Sequence, residues 1–170
     1  MKQVTGLLRI MLIAVSMAVS VAPVAAQESK KQKKEKKEDA ITALIQNQNY
    51  VFKAQNVMPM GGGTRQLTSE YDVRVTKDTV VSFLPYFGRA YGYVDPNNGG
   101  IQFTSTNFTY TITDKKNGWD ILIKPTDAKS VQQMSFSIFN NGSATLQVIS
   151  NNRQPISFNG FVTEIKPGKK

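Results

Sequence analysis

Polar and apolar residues alternate along most of this chain, and the phase of the alternation predicts how it folds. Tyr71, Val73 and Val75 are interleaved with Glu70, Asp72, Arg74 and Thr76, a period of two that an extended strand sorts onto two faces. The same spacing recurs at Tyr50/Phe52/Ala54, Phe108/Tyr110/Ile112, Trp119/Ile121/Ile123, Met134/Phe136/Ile138, Leu146/Val148 and Ile156/Phe158/Val162. Residues 80–84 add a short apolar run. One segment keeps a different period. Ile41, Leu44 and Ile45 form a helical stripe, Glu38 and Asp39 suit the positive end of the helix dipole, and Gln46 to Asn49 end it.

The connectors decide the topology. Asn117-Gly118 and Asn141-Gly142 are hairpin chemistry, supplying glycine where positive φ is needed. Neither leaves room for a crossover helix, so the strands they join are antiparallel. The expected fold is mainly β: an antiparallel meander of about eight strands, a barrel or strongly curved sheet, lipocalin-like in outline, with one N-terminal helix packed on it. A two-sheet sandwich is the alternative. Val81, Leu122, Ile149 and Phe161 interrupt the polar phase of their strands, which predicts that part of the second face is covered as well. Residues 56–69, with Pro59 and Gly61-Gly62-Gly63, read as a flexible loop.

The N-terminal pattern is of another kind. Lys2 and Arg9 precede an apolar run from Ile10 to Val21, and Val24 and Ala26 offer small side chains for a signal peptidase. The run is shorter than the ~20 residues that cross a bilayer as a helix. Residues 1–26 are therefore expected to be a signal peptide cleaved at Ala26-Gln27. Periplasmic or secreted location and no transmembrane segment after cleavage follow from that. Residues 27–39 hold no apolar side chain and read as a charged, disordered or loosely helical tether. Residues 40–165 form the single β domain, and 166–170 a basic tail.

The formal charge of +9 changes little in this picture. Two of those charges lie in the leader, and residues 28–39 hold six Lys against four acids. The remainder is scattered, unlike the concentrated face of a nucleic-acid binder, so no nucleic acid is expected. The Lys30–Lys37 stretch allows a weak contact with an anionic surface.

The chain has no His and no Cys. Ser–His–Asp and Cys–His sites are excluded, and with them the usual zinc, copper and iron ligands. Neither a metal nor a cofactor is expected. Two carboxylates could still act as in glycosidases. The acids beyond the tether are Glu70, Asp72, Asp78, Asp95, Asp114, Asp120, Asp127 and Glu164, which sit at turns or on the solvent phase of strands. No catalytic residue is assigned.

The densest chemistry lies at residues 83–93, with five aromatics, one Arg and two Gly in eleven positions. Asp78-Thr79-Val80, the run Leu84-Pro85-Tyr86-Phe87-Gly88-Arg89-Ala90-Tyr91 and Gly99-Gly100-Ile101-Gln102-Phe103 resemble the Bacteroidetes family called domain of unknown function 4251. The block from Ser150 to Gly160 is similar to that family's C-terminal part, and the resemblance spans about residues 40–163. It implies an exported protein with no assigned activity, cofactor or catalytic residue.

Read physically, Tyr86, Phe87, Tyr91 and Tyr93 offer stacking faces and Arg89 a charge for a carboxylate, with Arg65 and Arg153 as secondary candidates. The competing reading has the aromatics plugging a barrel end while Arg89 pairs with Asp72 or Asp95. Asp78-Thr79-Val80 also resembles an O-glycosylation acceptor of Bacteroidetes envelopes, with Thr79 as the modified residue. The leading expectation is an exported, non-enzymatic binding or interaction module for an unknown envelope ligand or protein. A carboxylate-dependent hydrolase of glycan or peptide and a purely structural envelope protein are the alternatives.

Overall fold

The computed structural model describes residues 22–91 and 99–166, and the apolar run of the leader lies outside them. Two compact units are present, Met1–Lys36 and Lys37–Lys170. Helix α1 (Ala22–Gln46) runs from the first into the second. The segment 27–39, expected to be disordered or loosely helical, lies within this helix. Its Lys, Glu and Gln content explains this, because these are strong helix formers even without an apolar face. Lys34 and Glu38 are also one turn apart.

The end of α1 matches the sequence expectation and has a defined cap. The Gln48 N–H donates to the Ile45 carbonyl at 3.1 Å and the Asn49 N–H to the Leu44 carbonyl at 3.1 Å. This is the paired bonding of a Schellman motif, with Gln48 in the left-handed region at φ 50° where glycine is usual.

Nine strands follow: β1 (Tyr50–Pro59), β2 (Arg65–Val75), β3 (Val80–Leu84), β4 (Ile101–Ser105), β5 (Phe108–Lys115), β6 (Gly118–Pro125), β7 (Val131–Phe139), β8 (Ser143–Ser150) and β9 (Ile156–Thr163). They form one sheet in the order β4-β3-β2-β1-β9-β8-β7-β6-β5, with every ladder antiparallel. The sheet curls into a nearly closed barrel, as the meander predicts. The first and last strands pair, Phe52 with Val162 and Val57 with Phe158. The gap falls in mid-chain, between β4 and β5.

One local expectation needs correction, and one strand had no forerunner in the sequence. The 56–69 loop shrinks to residues 60–64, because β1 continues to Pro59 past a bulge at Ala54/Asn56 and β2 starts at Arg65. Strand β4 follows a glycine pair, and its five residues are too few to show a period. The hairpin glycines do what was expected of them: Gly118 and Gly142 have φ of 153° and 84°.

The interior is apolar and crossed by aromatic contacts. Phe136 of β7 meets Tyr50 and Phe52 of β1 edge-on, with centroids 6.3 and 5.7 Å apart. Ile41 and Ile45 of α1 are buried in this same cluster, so the helix contributes to the inner face. Val81, Leu122 and Ile149 are only half-buried, and Phe161 is exposed beside Leu44 along a groove that also includes Ala40 and Val162. Across the interior, the buried Tyr50 and Tyr110 hydroxyls approach each other without reaching a hydrogen bond. Burial raises the pKa of both phenols, that of Tyr50 well above its ordinary value.

Asp127 holds the corner where β4 turns into β5. Its carboxylate accepts from the Ser105 hydroxyl, from the Thr106 N–H at 2.9 Å and from the Asn107 N–H at 3.1 Å. The Thr126 N–H donates to the Asn107 carbonyl at 2.8 Å. The exposed β6–β7 loop thereby fixes one end of the barrel's open seam. The Ser105 bond first, then the backbone bonds, hold the Asp127 carboxyl below the usual carboxylate range.

Candidate functional site

Strand β3 stops at Leu84 because Pro85 has no N–H to continue a ladder. The chain then leaves the sheet and docks along the β8–β9 loop. Ala90 and Arg153 form an isolated antiparallel bridge. On either side of it, the Gln154 N–H donates to the Arg89 carbonyl at 3.0 Å and the Tyr91 N–H to the Asn152 carbonyl at 2.7 Å. Two sequence blocks more than sixty residues apart, which carry the family resemblance, thus form one surface.

Tyr86 and Arg153 are the joint between these blocks. The Tyr86 hydroxyl donates to the Arg89 carbonyl at 2.7 Å, with the Gln154 carbonyl at 3.1 Å as a second acceptor. Gly88 is required beneath it, since a Cβ there would strike the Tyr86 hydroxyl. The Arg153 guanidinium lies 4.9 Å from the centre of the Tyr86 ring. It also donates to the Gly100 carbonyl at 2.7 Å, tying the start of β4 to the same joint. Desolvation raises the Tyr86 phenol pKa, against the lowering influence of the Gln154 carbonyl bond and the Arg153 charge.

Outside this joint the side chains face solvent. Phe87 is 42% exposed, and the Arg65 guanidinium lies 5.6 Å from its ring centre. Tyr91 is 67% exposed. Arg89 is exposed and makes no ion pair among the described residues; Asp72 faces Arg74 instead, at 3.6 Å. Tyr71 stacks on the exposed Phe83 with centroids 5.7 Å apart and planes at 23°. Tyr93 and Asp95 lie outside the described residues.

The fold therefore brings Tyr86, Phe87, Arg65 and Arg153 together, with Arg89 and Tyr91 on the same docked segment. Sequence reasoning did not find Asn152, Gln154 and Gly100, because they act through backbone groups that leave no side-chain signature. Thr79 is elsewhere, half-buried at the β2–β3 turn, where its N–H donates to the Thr76 hydroxyl at 3.0 Å.

The carboxylates gather at a different place. A cleft of about 300 Å³ on the outer side of β1, β2 and β9 is lined by Lys53, Glu70, Asp72 and Arg74, with Phe161 and residues 163–166. Glu70 faces Lys53 at 3.4 Å and Asp72 faces Arg74 at 3.6 Å. Both acids are engaged by cations. The cleft offers an ion-paired rim rather than two carboxyl groups arranged to share a proton.

The profile of the family described as Domain of unknown function (DUF4251) matches residues 32–162. The chain belongs to that family. A crystal structure of a DUF4251 family protein from Bacteroides eggerthii DSM 20697 superposes with a TM-score of 0.52 at 20% identity, covering 75% of this chain and 87% of that one. That likeness is one of fold. No curated protein matches the sequence.

Proposed function

We propose that this DUF4251 protein is an exported, non-enzymatic binding module, periplasmic or secreted, and that it takes an acidic glycan on the surface formed by Phe87, Arg89, Tyr91 and Arg65. The observation that carries the reading is the exposure of two rings, Phe87 and Tyr91, and one cation, Arg89, on a segment that is otherwise rigidly docked, with Arg65 of β2 set against the Phe87 ring. Exposed aromatics are hydrophobic surface left in water, while the backbone bonds to Asn152 and Gln154 hold them in place. Flat sugar faces stack on such rings, and uronate carboxylates pair with guanidinium groups. Tyr86 and Arg153 hold the surface and are not assigned to the ligand, since both are occupied with protein groups.

The hydrolase reading lacks comparable support because Glu70 and Asp72 are engaged in ion pairs. Titration calorimetry with polygalacturonate, and with neutral amylose as control, tests the proposal. Binding of polygalacturonate alone is expected, lost in Arg89→Ala and weakened several-fold in Tyr91→Ala, with melting unchanged in both. Failure of the parent protein to bind polygalacturonate, or full binding by Arg89→Ala, would overturn it.

A further inference from the structure

Strand β5 is an edge without the usual protection. All eight of its residues pair with β6, from Phe108↔Pro125 to Lys115↔Gly118, and no bulge interrupts the ladder. Its other side has no strand partner among the described residues, for β4 turns away to pair with β3. Soluble proteins blunt such edges with short strands, bulges, Pro or Lys. β4 is short, at five residues. β5 has eight residues, threonines at 109, 111 and 113, and charges only at its last two positions, Asp114 and Lys115.

The cover over this edge also runs out. Phe108, Tyr110, Ile112 and Asp114 stand opposite Pro125, Ile123, Ile121 and Trp119, and so share their face. Those four β6 residues are buried, whereas Ile112 is 42% exposed. An added strand would supply both ladder partners and an apolar neighbour for Ile112.

The sequence of β5 selects the occupant. We infer that β5 pairs antiparallel with β5 of a second copy of this chain, with Ile112 on the two-fold axis. In that register the two exposed Ile112 side chains meet, and Thr111 faces Thr113 twice, pairs that stabilise antiparallel strands. Asp114 faces Tyr110 and Lys115 faces Thr109, so no like charges are opposed. Moving the axis to Thr113 would set Ile112 against Asp114, and moving it to Thr111 would set Phe108 against Asp114. The strand is neutral in sum, which lets two copies of a chain of net charge +9 meet along it. One isologous contact removes both exposed edges.

The chain has no cysteine, so single cysteines report the register directly. Sedimentation velocity of the purified protein should show a monomer–dimer equilibrium that Ile112→Lys shifts to monomer, with circular dichroism unchanged. Phe139→Lys, at another exposed apolar site, should leave the dimer intact. Under mild oxidation, Ile112→Cys should form a disulfide-linked dimer and Thr109→Cys should not. A monomer at every concentration would refute the pairing. So would a dimer unaffected by Ile112→Lys, or equal crosslinking by the two cysteine variants.

Discussion

The Arg153 guanidinium lies over the Tyr86 ring at 4.9 Å while its N–H reaches the Gly100 carbonyl, so one side chain joins the docked segment, the β8–β9 loop and the start of β4. This joint makes the exposed aromatics beside it a fixed surface rather than a loose connector.

Removing the Tyr86 hydroxyl tests that rigidity. Tyr86→Phe keeps the ring under Arg153 but loses the bonds to the Arg89 and Gln154 carbonyls, at a cost of about 1 kcal/mol. The Tyr91 and Gln154 amides should exchange faster with solvent deuterium, while amides of β7 and β8 stay protected. Unchanged exchange at Tyr91 and Gln154 would show that the hydroxyl is not what holds the segment.

The helix cap offers a gain of stability. Gln48 adopts a left-handed conformation that disfavours a Cβ, and its N–H already makes the cap bond. Gln48→Gly should stabilise the fold by about 1 kcal/mol, read as a higher urea midpoint with the same slope.

Asp127 predicts a pH dependence. Its carboxyl pKa is held below the ordinary value in the folded state, chiefly by the Ser105 hydroxyl. Its contribution is therefore complete above the unfolded pKa of about 4 and is lost as pH falls through the lower, folded value. Urea midpoints of the parent and Asp127→Asn should differ at pH 7 and converge as the pH falls below about 4. A gap that persists into strong acid would assign the loss to something other than the carboxylate.

Core packing across the barrel gives a larger effect. Phe136 is fully buried and touches both Tyr50 and Phe52. Phe136→Ala should cost about 3–5 kcal/mol, checked by chemical denaturation.

Most of the fold was legible in the chain because a half-buried strand must alternate. Tyr71/Val73/Val75 and Met134/Phe136/Ile138 announce their strands in this way. Ile101–Ser105 did not, since β4 is too short and its neighbours are glycines. Whether the Lys/Glu segment is helical or disordered stayed open in the sequence, because propensity without an apolar stripe leaves no periodic signal. For the site, residue type pointed to Tyr86, Phe87 and Arg65, but their division of labour was hidden. Whether Arg89 or Arg153 sits over Tyr86 depends on which loop docks there, and the Asn152 and Gln154 backbone groups that decide it carry no mark in their side chains.

The most direct test of the proposed binding surface is an amide-resolved nuclear magnetic resonance titration with oligogalacturonate. Shifts should concentrate at Arg65, Phe87 to Tyr91 and Asn152 to Gln154, and disappear in Arg89→Ala. Shifts centred on Lys53, Glu70 and Asp72 instead, or no shifts at all, would contradict the assignment.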